Sequence, residues 1–293
     1  MTPTFLKAPS SNNATEARAA ILGCPFDHGT AMRIGARLGP GAIRTASHEL
    51  GPFDPTTGSN LVASLGLIDA GDAEVVPSQV ERSFAAIEEA CQALLSQDCI
   101  PVTMGGDGMV TLPQLRAAAK RHGPLALVHI DAHSDTYPQA GYNTATTFSR
   151  AQEEGLLDLA RSCHVGLRGT TGDPGAWRHP ADLGFTLISM ARLRDRGAAA
   201  TGQAIAGQIG EAPCYLCFDM DFFDASIAPG VCNPVYGGAT IVEAFALLDA
   251  LSELNSVTYD VNTVSPPHDV QNMTALLAAT VMVRFLQQIA ARS

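Results

Sequence analysis

Leu125-Ala126-Leu127-Val128-His129-Ile130-Asp131-Ala132-His133-Ser134-Asp135 runs from a mostly apolar stretch straight into three side chains able to ligate a metal. A short apolar run that stops abruptly reads as a strand buried on both faces, the kind found in parallel sheets covered by helices. The pattern recurs at Tyr215-Leu216-Cys217-Phe218-Asp219-Met220-Asp221. In extended chain, residues i, i+2 and i+4 share a face, so Asp131, His133 and Asp135 can converge, as can Asp219 and Asp221. Four carboxylates that close repel one another. Without a cation at least one must hold a proton, and a divalent ion removes that cost. Hard oxygen donors with a single imidazole suit Mn, Ni, Fe or Zn held for hydrolysis.

Outward from these two segments, short Val/Ile/Leu-rich runs alternate with longer amphipathic ones. The spacing predicts strands at 20–23, 100–104, 125–130, 164–167, 185–189, 215–218 and 256–261. Helices are expected at 80–96, where Val80, Phe84, Ile87, Cys91, Leu94 and Leu95 make one stripe, and at 273–291. A third begins at Thr240, where Thr240 and Glu243 form a capping box. This is the α/β class. Gly105-Gly106-Asp107-Gly108, Asp131 and Asp219 each follow a strand and so open at the carboxyl edge of the sheet, where open α/β sheets bind ligands. The glycine-rich loop lacks the spacing and the lysine of a phosphate cradle.

Composition bounds the function. At 293 residues and 46% hydrophobic, with no linker or charge block, the chain reads as one domain over 1–293, its first residues, 1–18, a flexible N-terminal segment. A formal net charge of −11 argues against nucleic acid or an anionic membrane surface as partner. The seven cysteines, at 24, 91, 99, 163, 214, 217 and 232, are odd in number in a chain that needs no staples, so reduced thiols are expected. Cys214 and Cys217 form a C-x-x-C, but inside a strand they point to opposite faces and cannot chelate together. No leader or membrane-spanning run is evident, and a cytoplasmic location is expected.

The N-terminal motifs Gly23-Cys24-Pro25-Phe26-Asp27-His28-Gly29-Thr30 and Arg33, then Gly35-Ala36-Arg37-Leu38-Gly39-Pro40-Gly41-Ala42-Ile43-Arg44, resemble the signature of agmatinase-type ureohydrolases. The likeness continues through Gly105-Gly106-Asp107, 131–137, 166–169, 219–230 and Pro266-Pro267. The resemblance implies a three-layer αβα arginase-like fold with a central parallel sheet of about eight strands, trimeric or hexameric assembly, and a two-metal centre that hydrolyses a guanidino carbon–nitrogen bond. By resemblance, Asp131 and Asp219 would bridge two ions. His133 and Asp221 would complete the second site, and Asp135 would bind the first and orient the attacking hydroxide.

Three positions depart from the family pattern. The loop histidine that ligates the first metal is Gly108 here. The histidine that shuttles a proton to the leaving amine is Thr144, which does no acid–base work near neutral pH. The carboxylate that holds the guanidinium is Thr263. The expectation is a metal-binding chain, with Mn or Ni, holding a single ion or none. Its expected role is that of a non-catalytic subunit in a hetero-oligomer with a metal-replete ureohydrolase paralogue, as in metformin hydrolase-type assemblies acting on a small guanidino substrate. The alternative is an active amidinohydrolase with altered metal site and substrate.

Other candidates have plainer readings. His129 shares a strand face with Asp131 and is expected to be structural. His268, after the paired prolines, is the one candidate substitute proton carrier. His28, His164 and His179 lack ligand spacing, and Arg192, Arg194 and Arg196, around Asp195, read as a solvated or interfacial face.

Overall fold

Alternate residues of one central strand bury into two different cores, and this settles the architecture. In Cys214–Asp219, Cys214, Leu216 and Phe218 join one apolar cluster, whereas Tyr215 and Cys217 join another. The sheet is therefore covered on both faces, and the cysteine pair is split across it as the strand period requires. The computed structural model describes residues 3–29 and 32–292, leaving Met1, Thr2, Thr30, Ala31 and Ser293 outside the description. Thr30 of the N-terminal motif is among those.

Eight parallel strands form the sheet: β1 Ala19–Cys24, β2 Ile68–Asp72, β3 Ile100–Gly105, β4 Ala126–Ile130, β5 Cys163–Leu167, β6 Thr186–Ser189, β7 Cys214–Asp219 and β8 Ser256–Asn262. Their order is β2-β1-β3-β8-β7-β4-β5-β6. Among the described residues ten α-helices accompany them: α1 Gly39–Ser47, α2 Leu61–Leu65, α3 Val80–Leu95, α4 Thr111–His122, α5 Thr147–Glu153, α6 Arg178–Leu183, α7 Met190–Arg196, α8 Ala198–Ile209, α9 Ile241–Ala250 and, after the last strand, α10 Met273–Ala291. One face of the sheet is packed by α1, α2 and α7 to α10, the other by α3, α4 and α5. The three-layer αβα fold with an eight-stranded parallel sheet is thus as expected.

Seven strands lie where the apolar runs placed them. The eighth, β2, reads Ile-Asp-Ala-Gly-Asp and has no apolar run to betray it; it forms by pairing with β1, Ala20 opposite Ile68. Thr240 caps α9 as expected, its hydroxyl accepting from the Glu243 amide while the Glu243 carboxylate accepts from the Thr240 amide. Helix α10 is long and apolar enough to cross a membrane. It spends that surface on the core through Ala275, Ala278, Met282, Phe285, Leu286 and Ile289.

The flexible N-terminal segment expected over 1–18 is corrected for its described part. Phe5 is fully buried, its amide donates to Asp69 Oδ2 at 2.8 Å, and the Leu6 amide donates to Ser47 Oγ at 2.9 Å. Two apolar side chains and a buried carboxylate, itself held by Arg44 at 2.9 Å, dock the segment against β2 and α1.

Candidate metal centre

The four innermost strands deliver the site because their registers run level at the carboxyl edge. Met104 of β3 stands opposite Val261 of β8, Asn262 of β8 opposite Asp219 of β7, and Phe218 of β7 opposite Ile130 of β4. The next residues along each strand are Gly105, Thr263, Asp219 to Asp221, and Asp131 onward, so segments far apart in sequence meet in one crevice. Loops pointing this way can carry chemistry while the sheet below stays rigid.

Asp131, His133 and Asp221 meet directly. His133 Nδ1 lies 3.2 Å from Asp131 Oδ1 and 3.1 Å from Asp221 Oδ2. Backbone amides hold the carboxylates in place: His133 N–H donates to Asp131 Oδ1 at 2.6 Å, Ala132 N–H to Asp221 Oδ1 at 3.2 Å, and Asp221 N–H to Asp219 Oδ1 at 2.7 Å. Two groupings have donor atoms within 4.8 Å of one another, Asp131 with His133 and Asp221, and Asp131 with His129 and Asp135. Asp219 stands outside both; its Oδ1 also accepts the Thr263 hydroxyl at 2.5 Å.

Electrostatics mark the cluster as short of positive charge. Burial, then the charges of Asp131 and Asp221, push the Asp135 carboxyl well above its ordinary range. Burial, then Asp221 and Asp131, do the same to Asp219. Asp221 rises to about 6, through burial and the Asp131 charge. Burial works against charging His133, yet Asp221 and Asp131 hold the imidazole well above its usual value. Asp131 stays well below the usual carboxylate range despite burial, because His129 and His133 flank it. Its Oδ2 is buried with no hydrogen bond, although His129 Nε2 stands 2.9 Å away. An orphaned carboxylate oxygen amid oxygen and imidazole donors fits a divalent cation.

The three departures from the family pattern gather around this cluster. Gly106 packs so tightly on the Phe26 carbonyl that a β-carbon would fall 1.5 Å from its oxygen, and the Asp107 amide donates to that same oxygen at 2.8 Å. The loop is thereby fixed. A β-carbon at Gly108 would stand 3.1 Å from Asp135 Oδ2, with Thr144 side-chain carbons at 3.9 and 4.0 Å. The position of the absent loop imidazole therefore adjoins the Asp135 carboxylate, and the position of the absent proton carrier lies beside Gly108. Thr144 turns its hydroxyl to the Gly29 carbonyl at 3.4 Å, and Thr263 turns its own to Asp219.

Of the remaining histidines, His268 is half-buried on the turn Pro266–His268 and belongs to neither donor grouping. His28 Nε2 accepts from the Ser78 amide at 3.0 Å, and His164 is bonded within the fold. His129, expected to be structural, holds His164 through Nδ1 but faces the site through Nε2. The strand period alone placed it on the Asp131 face; its proximity to a ligand needed the side-chain geometry. Sequence reasoning missed Arg168. Its guanidinium donates to the carbonyls of Gly166, Asp221, Phe223 and Val235 and so ties the end of β5 to the segment after β7. Arg192, Asp195 and Arg196 are exposed, and Arg194 pairs with Glu243 at 3.1 Å.

Comparison with known proteins supplies the lineage. The model of the arginase family matches residues 17–287. The chain is similar to the mitochondrial guanidino acid hydrolase of Homo sapiens, 36% identical over 287 residues, covering 97% of this chain and 81% of the relative. It is likewise similar to the mitochondrial agmatinase of Gallus gallus, 35% identical over 286 residues, covering 97% and 84%. Among solved structures, proclavaminate amidino hydrolase from Streptomyces clavuligerus superposes with a TM-score of 0.94 at 32% identity, over 99% of this chain and 97% of that one.

Proposed function

We propose, on the premise that the chain belongs to the arginase family, that it is a subunit of a metal-dependent amidinohydrolase assembly and does not turn over guanidines unaided. Its partner is a metal-replete relative, joined to it in a trimer- or hexamer-type hetero-oligomer. The assembly cleaves a carbon–nitrogen bond in a guanidino or biguanide-type small molecule. What supports this reading is that Gly108, against the Asp135 carboxylate, and Thr144, beside Gly108, stand where acid–base side chains would be needed and neither residue has one.

Asp131, His133 and Asp221, with Asp135 and Asp219 beside them, would hold a divalent ion such as Mn or Ni. Bound there, it would supply Lewis acidity and a lowered water pKa. Asp135 is placed to accept a proton from a water in the crevice. The next relay fails, because the Thr144 hydroxyl has no acidity near neutral pH and is engaged with the Gly29 carbonyl. Substrate anchoring fails as well, because Thr263 brings no charge and its hydroxyl is committed to Asp219. One absent acid–base group costs about 10²- to 10⁴-fold in rate, and one absent charged hydrogen-bond partner about 1.5–3 kcal/mol. Seven free, buried cysteines fit a reducing compartment, and the cytoplasm is the one proposed.

A second reading, that the chain is itself an amidinohydrolase with altered chemistry, draws on the intact contact among Asp131, His133 and Asp221. Purifying the chain alone, and together with any ureohydrolase encoded beside it, then assaying guanidino compounds and metal content, separates the two. The subunit reading expects turnover only from the complex. Full turnover by the lone chain would sink it in favour of the second.

A further inference from the structure

We infer that His129, from β4, supplies the imidazole of a metal site with Asp131 and Asp135, on the side of the cluster where Gly108 offers no donor. The inference concerns metal retention and stands whether or not the chain acts as a subunit.

The tautomer of His129 follows from a buried chain of hydrogen bonds. The Thr136 hydroxyl lies 2.6 Å from the Ser134 carbonyl, which can only accept, so the hydroxyl proton is spent there. Thr136 Oγ1 therefore accepts from His164 Nε2, 3.1 Å away. That leaves His164 Nδ1 as a lone pair, which accepts the Nδ1 proton of His129 at 2.9 Å. His129 then turns its Nε2 to the crevice. Facing it at 2.9 Å is Asp131 Oδ2, a buried carboxylate oxygen without a hydrogen bond.

A ring nitrogen and a carboxylate oxygen at that separation can share a metal ion. The pair is not aligned as a hydrogen bond, which leaves Asp131 Oδ2 without a proton to accept. Two donors bound about 2.1 Å from one ion at a right angle to each other lie about 3.0 Å apart. The observed 2.9 Å matches that spacing. Asp135 completes a set of three donor residues within 4.8 Å. The contact of His129 Nδ1 with His164 is the outer-shell bond that metal-binding imidazoles use to fix ring and tautomer. The ring is further held against Phe148, 4.4 Å between centroids. His133, in the other grouping, serves the other side of the cluster.

Loss of affinity alone would not decide the matter, since removing an outer-shell partner also weakens binding about 10- to 100-fold. Nitrogen coupling does decide it. The full-length chain is loaded with Mn(II) alone and examined by pulsed EPR, with bound metal counted by mass spectrometry. Wild type is expected to show couplings from two imidazoles. His133→Asn should keep an ion and one imidazole coupling, and His129→Asn should keep only the coupling from His133. His133→Asn leaves β4 and its hydrogen-bond chain intact, so the question survives even if His129→Asn does not fold. Absence of nitrogen coupling in His133→Asn, or failure of that variant to retain any ion, overturns the proposal.

Discussion

Thr263 donates its hydroxyl to Oδ1 of Asp219 at 2.5 Å, from a backbone held at a φ of 68°. The residue is β-branched and sits in the left-handed region, a strained choice that a hydrogen bond inside the cluster helps to retain. In metal-stripped protein, Thr263→Val is expected to lower stability by roughly 0.5–1.5 kcal/mol, the usual worth of such a bond. Thr263→Asn keeps a donor and tolerates the left-handed conformation, so it should lose less. Urea unfolding of the two variants checks this. Equal losses would show that the hydroxyl contributes nothing.

Gly108 has ordinary backbone angles, and its missing side chain would point at Asp135. Gly108→His is therefore expected to fold and to add a donor, tightening Mn(II) retention about tenfold or more in equilibrium dialysis. Adding Thr144→His and Thr263→Glu should then raise guanidine hydrolysis by the lone chain above its basal level. Unchanged retention in Gly108→His would mean that the loop does not face the ion.

Much of this was legible in the residues, for reasons that differ by element. Seven strands are apolar runs buried on both faces, and such burial writes itself into sequence. Strand β2 escaped because its pairing with β1, not its own composition, makes it a strand. The docked N-terminal segment escaped for a similar reason: two apolar residues, Phe5 and Leu6, are too few for a periodic signal, and their partners Asp69 and Ser47 are more than forty residues away. At the site, i, i+2 spacing found Asp131, His133, Asp135, Asp219 and Asp221. It could not show that Asp219 turns toward Thr263, nor that His129 Nε2 faces Asp131 Oδ2, because both depend on side-chain rotation.

Arg168 is a buried cation whose guanidinium donates to four backbone carbonyls. Arg168→Met would leave the carbonyls of Gly166, Asp221, Phe223 and Val235 short of a donor, at a cost expected to exceed about 3 kcal/mol. Because one of those carbonyls belongs to Asp221, metal retention should fall as well. Chemical denaturation and dialysis read the two effects. A variant that unfolds like wild type would show that the guanidinium is dispensable.

The pH dependence of the metal-free chain follows from the shifted groups. Asp221 has its folded value raised from 3.8 to about 6, so its contribution is fully present below about 3.8 and is lost as pH rises through about 6. Asp135 and Asp219 are raised in the same sense. His133, raised above 6.5, contributes below 6.5 and loses that contribution as pH rises through its folded value. Asp131 runs the other way, but its depressed value confines the loss to pH below 3.8. His164, lowered by burial and the His129 charge, and His122, lowered by burial, oppose this, but between pH 5 and 8 the four raised groups outnumber them, so in a chelator the melting temperature is expected to fall as pH rises. A divalent ion competes with those protons for the same ligands, and its binding strengthens as they leave. With saturating Mn(II) the slope should flatten or reverse. Thermal scans across this range, with chelator and with metal, test both signs. A chelated protein that grows steadily more stable from pH 5 to 8 would contradict the charge arrangement derived for the cluster.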